Sequence, residues 1–350
     1  MGWYAAAPQA TYYESMPKVE LHRHLEGSLR LSTLREIARQ QQMSLPQDAG
    51  LAGLVQMQAD EPLNFQNFLA KFQTLRLFYR TPEIIQRISR EAVEDAARDQ
   101  VRYMELRFTP VALSRQRGFA LREVMAWVCT AVQQASRDFN LPVQLLVSVN
   151  RHEPVELAEE VIALAVEFRQ YGVAGIDLAG NEAEFNADPF LSLFREARRE
   201  GLALSVHAGE WGGAENVRQA IQDFEADRIG HGVRVLEDGA VVRMAAERGT
   251  AFEVCITSNV QTGIVPSLKH HPLPRMIEAG LNVTINSDDP GISNIRLSDE
   301  YRAACEELGL TRLQLQERVL AAAHAAILPA PEKGALARRL KIEMDILEEI

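Results

Sequence analysis

Residues 18–27 read KVELHRHLEG. Val19, Leu21 and Leu25 give the stretch the character of a buried strand, yet His22 and His24 stand two positions apart, with Glu26 next. Along a strand, residues i and i+2 point to the same side. Both imidazoles therefore project together, and a strand with that pattern needs a partner for them.

Seven further apolar runs follow: VRYMELRFT (101–109), PVQLLVSVN (142–150), VAGIDLAG (173–180), LALSVHAG (202–209), DRIGHGV (227–233), FEVCITSN (252–259) and LNVTINSD (281–288). Between most of them lie stretches with apolar residues three and four apart, such as 154–172 and 188–201, ending at a glycine. That spacing predicts amphipathic helices with glycine C-termini. Near-continuous apolar strands alternating with helices indicate a parallel sheet covered by helices. Eight such units predict an α/β protein of the (β/α)8 barrel type. Residues 26–100 are too many for one crossover helix, so a helical insertion is expected after strand 1, at about 30–100. A doubly wound open sheet competes with the barrel, but no Gly-rich dinucleotide loop follows the first strand. The domain reading is a leader over 1–15 and a single barrel domain over 16–350.

Composition narrows the function classes. The 350-residue chain has a formal net charge of −11, 47% hydrophobic and 24% charged residues. An acidic chain of this kind argues against a nucleic-acid partner, which needs an electropositive face, and against a polybasic membrane contact. No run approaches the roughly 18 apolar residues of a membrane span. The N-terminus lacks the basic start and apolar core of a secretory signal. Cys129, Cys255 and Cys305 are odd in number and widely spaced, which points to reduced thiols and a cytoplasmic protein.

The runs end in ionisable residues: His22 and His24, then His207 with Glu210, then His231, then Asp288 and Asp289. In a barrel these strand ends meet at one rim, where active sites are built. His-x-His on a strand is a plausible clamp for zinc; His207 and Asp288 could complete three nitrogens and one oxygen. Each residue alone has a plainer reading: a strand-end histidine is usually a satisfied polar group, and Asp-Asp-Pro-Gly is first a turn. Those readings would all have to hold at the same rim. His152 ends the third run and is a candidate supporting residue. His270 and His271, in a Pro-rich loop, are expected to be solvated, and His324 to pack within a helix.

The motifs MPKVELHRHLEGS, GIDLAGNE, SVHAGE, RIGHGVR, TSNVQTG and NSDDP resemble the adenosine deaminase family of metal-dependent hydrolases. The resemblance implies a (β/α)8 barrel with one Zn2+ that removes the exocyclic amine of a purine. By motif position, His22, His24, His207 and Asp288 resemble the zinc ligands. Glu210 resembles the proton donor to purine N1, and His231 the residue that orients or deprotonates the attacking water. His24, Glu26, Gly180 and Asp289 resemble substrate-binding residues. Asp289 corresponds to the partner of N7, Gly180 to a backbone contact for N3, and Glu26 to the carboxylate near the ribose 5′-hydroxyl. Phe65, Phe68, Leu69 and Phe72 resemble an apolar lid. The fourth run has no lysine for a second metal, and no Pro-Cys-x-x-Cys pair marks the unrelated zinc deaminases.

Two departures bear on the substrate. Many nucleoside-acting members carry Asp where this chain has Glu26, and an aromatic where it has Gly291-Ile292-Ser293. The expected activity is deamination of adenosine and 2′-deoxyadenosine, with a small-molecule purine nucleoside as the partner. The alternatives are adenine, aminodeoxyfutalosine or an N6-modified purine nucleotide as substrate, another metal-dependent hydrolysis, or a purine-binding barrel without catalysis.

Overall fold

A computed structural model describes residues 12–46 and 49–349. Eight strands form one parallel sheet in the order β1 to β8. They are Lys18–His24, Val101–Phe108, Val143–Asn150, Val173–Ala179, Ala203–Ala208, Arg228–His231, Ala251–Val254 and Asn282–Ile285. Burial on both faces explains their nearly unbroken apolar character, and β6 and β7 have no exposed residue at all. The barrel closes through residues that belong to the site. Arg23 bridges Asp288 in parallel register. Asp288 N–H donates to His22 O at 2.8 Å, and His24 N–H donates to Asp288 O at 2.9 Å.

The interior beneath the rim is ionic. Arg228 pairs with Glu253 and Glu105, and Arg107 pairs with Glu253 at 2.8 Å and Asp177 at 3.2 Å. Ser148 donates to Asp177, and Tyr103 to Glu105. Two C-terminal helices, Arg312–Ala325 and Ala330–Glu348, follow the last strand. The end of the first and the link after it tie into the layer: Arg228 donates to Ala325 O, and Ile327 N–H donates to Glu105. The side chains are fully buried, and the charges are tolerable there because they are paired.

Among the described residues, the expected insertion holds four helices, Leu31–Gln40, Ala49–Val55, Phe65–Leu75 and Pro82–Arg98, with one 3-10 turn at Arg76–Phe78. Asn64 caps the third by accepting from Asn67 N–H, and Thr81 with Pro82 starts the fourth. Of the expected leader, residues 1–11 lie outside the described residues. Tyr12–Ser15 make one helical turn, with both tyrosines packed partly buried against the core.

The seventh run differs from its sequence reading. The strand stops at Val254, and Ile256–Gln261 form a helix. The reason is distant in sequence. The buried Glu300 carboxylate accepts from the N–H groups of Ile256 and Thr257, capping a helix start whose own sequence reads as strand.

Candidate active site

The barrel rim gathers the expected imidazoles. His22, His24 and His207 each offer a nitrogen within 4.8 Å of the others. The Nε2 atoms of His22 and His24 both lie 3.3 Å from Asp288 Oδ1. Gly230 on β6 makes room for this packing, since a Cβ there would sit 3.1 Å from His22 Cε1 and 3.2 Å from His207 Cα. His231 and Asp288 both adopt positive φ, 58° and 62°. Such strained backbone in non-glycine residues persists only where the surroundings impose it, and it clusters at functional sites.

Hydrogen bonding dictates which nitrogens face the centre. His22 Nδ1 donates to Glu253 Oε2 at 2.8 Å, and His207 Nδ1 to Asp177 Oδ1 at 2.9 Å. Burial opposes ionisation of both carboxylates, but neighbouring charges win. Arg107 and Arg228 hold Glu253 well below the usual range, and His207 and Arg107 do the same for Asp177. Ionised acceptors fix protons on the two Nδ1 atoms and leave each Nε2 lone pair facing inward. His22 Nε2 indeed finds no hydrogen-bond partner. Burial and Arg107 disfavour charge on His22, yet the Asp288 and Glu253 carboxylates outweigh them and raise its pKa. Burial keeps His24 and His231 neutral. Inward lone pairs beside a carboxylate form a centre that favours a cation, and three nitrogens with one oxygen suit zinc. Cys255 also comes within reach of His22, His231 and Asp288, but burial pushes its thiol up.

Above this centre lies a cavity of about 470 Å³. His24, Glu26, Gly180, Glu210, His231 and Asp289 all line it. Polar atoms without partners collect here: Glu26 Oε2, Trp211 Nε1, Ser258 Oγ and Asp289 Oδ1, besides His22 Nε2. Buried polar atoms are ordinarily satisfied, so this concentration marks a place built for a ligand. Asp289 fits only because Gly27 lacks a side chain; a Cβ there would lie 1.7 Å from Asp289 Oδ1. Burial, then Asp288, raises the pKa of Asp289 well above the carboxylate range. Burial, Asp288 and Glu182 do the same for Glu210. Both carboxyls are thus shifted towards the protonated form. Glu210 Oε2 stands 3.7 Å from His231 Nε2. Phe68, Leu69 and Phe72 form an apolar wall, and Phe65 stacks on Trp211 at 5.2 Å.

Several contributors were not singled out from the sequence. Glu182 accepts from the backbone N–H groups of Gly209, Glu210 and Trp211, at 2.9, 2.6 and 2.8 Å, and so holds the Glu210 segment. Glu253 was visible as a lone acid in an otherwise apolar strand, and Asp177 lay inside GIDLAG. Arg76, from the insertion, lines the cavity without a sequence signal. His152 lines it too, with its ring 6.0 Å from Phe185. His270 is exposed as expected, but His271 is buried and hydrogen-bonded, because its loop folds back against Asn259. His324 is exposed on its helix instead of packing inward.

A family model described as adenosine deaminase matches residues 17–342. The chain belongs to the adenosine deaminase family. It is a hydrolytic deaminase of adenosine-like purines. An adenosine deaminase of Klebsiella pneumoniae is 36% identical over 328 residues, covering 93% of this chain and 98% of the relative. The Edwardsiella ictaluri adenosine deaminase is 35% identical, covering 91% and 96%. Among solved structures, a zinc-bound amidohydrolase from Burkholderia ambifaria superposes with TM-score 0.89 at 26% identity, over 99% of this chain and 96% of that one. The adenine deaminase of Arthrobacter aurescens gives 0.87 at 27% identity, over 94% and 99%. The Arabidopsis N6-mAMP deaminase gives 0.84 at 30% identity, over 94% and 99%. No helix among the described residues is long and apolar enough to cross a membrane.

Proposed function

We propose that this chain converts adenosine and 2′-deoxyadenosine to inosine and deoxyinosine with release of ammonia, as a cytoplasmic enzyme of purine salvage. One Zn2+ would be held by His22, His24, His207 and Asp288. When bound, the ion makes water a nucleophile at neutral pH by lowering its pKa towards about 7. Attack on C6 pushes electrons to ring nitrogen N1, which must take a proton. Glu210, kept protonated by burial, is the donor. Purine N7 is an acceptor, so its partner must donate; burial shifts Asp289 towards the protonated form, as it does Glu210. Gly180, with φ at 95°, offers a backbone N–H to N3. His231 orients the attacking water or takes its proton. Phe68, Leu69 and Phe72 cover the base and exclude solvent.

The observation that carries this reading is the convergence of unpartnered buried polar atoms on one cavity floored by three imidazoles and a carboxylate. The sequence keeps every residue expected as a ligand or proton donor, which argues against a barrel without catalysis. A second reading has its own support. Glu26 accepts from Thr109 N–H at 2.6 Å while its other oxygen has no partner, and burial raises its pKa to about 7. Arg76 lines the same cavity. A guanidinium there favours an anionic 5′ substituent, as on an N6-modified purine nucleotide.

A substrate panel separates the two. Adenosine, deoxyadenosine, adenine, aminodeoxyfutalosine and N6-methyl-AMP are compared by loss of purine absorbance, with a chelator control. The first reading expects the highest kcat/KM for the two nucleosides. Preference for the nucleotide, lost in Arg76→Ala, would replace it with the second.

A further inference from the structure

At the rim, His22 and His207 each turn Nδ1 to a carboxylate, but His231 Nδ1 does not. Its neighbour is the amide of Asn259, with Nδ2 at 3.1 Å. The other end of that amide, Oδ1, lies 3.3 Å from His271 Nε2. His271 Nδ1 in turn accepts from the backbone N–H of Leu273 at 3.1 Å. All three side chains are buried: Asn259 is 0% exposed, His231 1% and His271 4%.

The direction of every bond follows from the last. A backbone N–H can only donate, so His271 Nδ1 carries a lone pair. Burial lowers the His271 pKa to about 3, so the ring is neutral and its proton sits on Nε2. That N–H donates to Asn259 Oδ1. The amide is thereby oriented with its NH2 towards His231, and it donates to Nδ1. A neutral His231 must then carry its own proton on Nε2, the nitrogen that faces Glu210 and Asp288 at 3.7 and 4.0 Å.

We infer that Asn259 and His271 are positioning residues that fix the tautomer of His231, so that it presents an N–H donor to the reacting centre. This rests on the reading that His231 faces the attacking water, and it decides between the two roles left open for it. His231 orients the oxygen nucleophile by donating to it, and the proton that this oxygen gives up passes first to the Asp288 carboxylate, whose Oδ2 stands 4.0 Å from the same nitrogen. Asn259, from helix 256–261, and His271, from the loop before helix 273–278, would thus act on the chemistry without lining the cavity.

The test reads the proton directly. Zinc-loaded enzyme with 15N-labelled histidine gives two-bond proton–nitrogen spectra, in which His231 is assigned by its loss in His231→Gln. The expected wild-type pattern is a protonated Nε2 and an unprotonated Nδ1. Asn259→Asp replaces the donating amide with an acceptor and should move the proton to Nδ1. With zinc content unchanged, kcat should then fall about 10²-fold or more while KM moves less than about threefold, as expected for a wrong tautomer. His271→Gln keeps a donor for Asn259 and should retain kcat within about threefold, whereas His271→Leu loses about tenfold. A wild-type proton on Nδ1 would overturn the inference, and so would an unchanged kcat in a folded, zinc-loaded Asn259→Asp. Wild-type enzyme that deaminates no purine would sink the functional reading instead, and the spectrum would still decide the tautomer.

Discussion

The ionic layer inside the barrel and the rim above it bury charge in opposite ways. In the layer, Arg228 and Arg107 are met by Glu105, Glu253 and Asp177, and only Arg107 Nε lacks a partner. At the rim, Glu26, Trp211, Ser258 and Asp289 leave atoms unsatisfied around one cavity. The two regions share members: Glu253 and Asp177 end the layer and also hold His22 and His207. A saturated network resists change, and an unsaturated one stores affinity for something else. The layer therefore gives the rim its rigidity, and the rim supplies the chemistry.

The sharpest way to break that distinction is at the rim. Glu210→Gln is expected to retain zinc and fold while kcat drops by about 10²–10⁴-fold, the usual worth of a general acid. His22→Ala is expected to lose zinc and activity together. Metal analysis alongside ammonia release checks both, and equal zinc loss in the two variants would contradict their separate roles. In the layer the loss should appear as stability. Arg228→Met leaves Glu105 buried without its main partner and Glu253 with Arg107 and His22 alone, and is expected to cost about 3–5 kcal/mol in a urea titration. A shift under about 1 kcal/mol would mean the layer is not the support described here.

Asp177 probes the boundary. Asp177→Asn cannot orient His207 as an anion does, and zinc affinity is expected to weaken about 10–100-fold in chelator competition, with the fold intact. A further effect lies outside both regions. Burial raises Glu300 to about 8, above its unfolded value near 4.5. The native state therefore holds a proton that the unfolded chain releases between these values. Glu300 favours folding fully below about pH 4.5, and that contribution is lost as pH rises towards 8, by at most about 1.4 kcal/mol per pH unit. Glu300→Gln should flatten this slope relative to wild type in urea midpoints taken at pH 5, 6.5 and 8. Parallel slopes would remove Glu300 from the account.

Much of this was legible in the letters because strands buried on both faces write near-continuous apolar runs, and polar residues ending them stand out. His22, His24, His207, His231 and Asp288 were found that way, and the structure brings them together at one rim. What escaped was set by neighbours far along the chain. FEVCITSN reads as one strand, yet Glu300 turns its second half into a helix. His271 reads as a loop residue, yet Asn259 and the Leu273 N–H give it a buried seat.

The sequence by itself determined the strand–helix alternation, the inventory of ligating and acidic groups, and the family, since periodicity and motif order are local properties. Only the tertiary structure decided which nitrogens of His22 and His207 face inward, which carboxyls burial shifts towards the protonated form, and that Arg76 lines the cavity. Those depend on burial and on partners tens to hundreds of residues away, and electrostatics in a low-dielectric interior is set by distance in space.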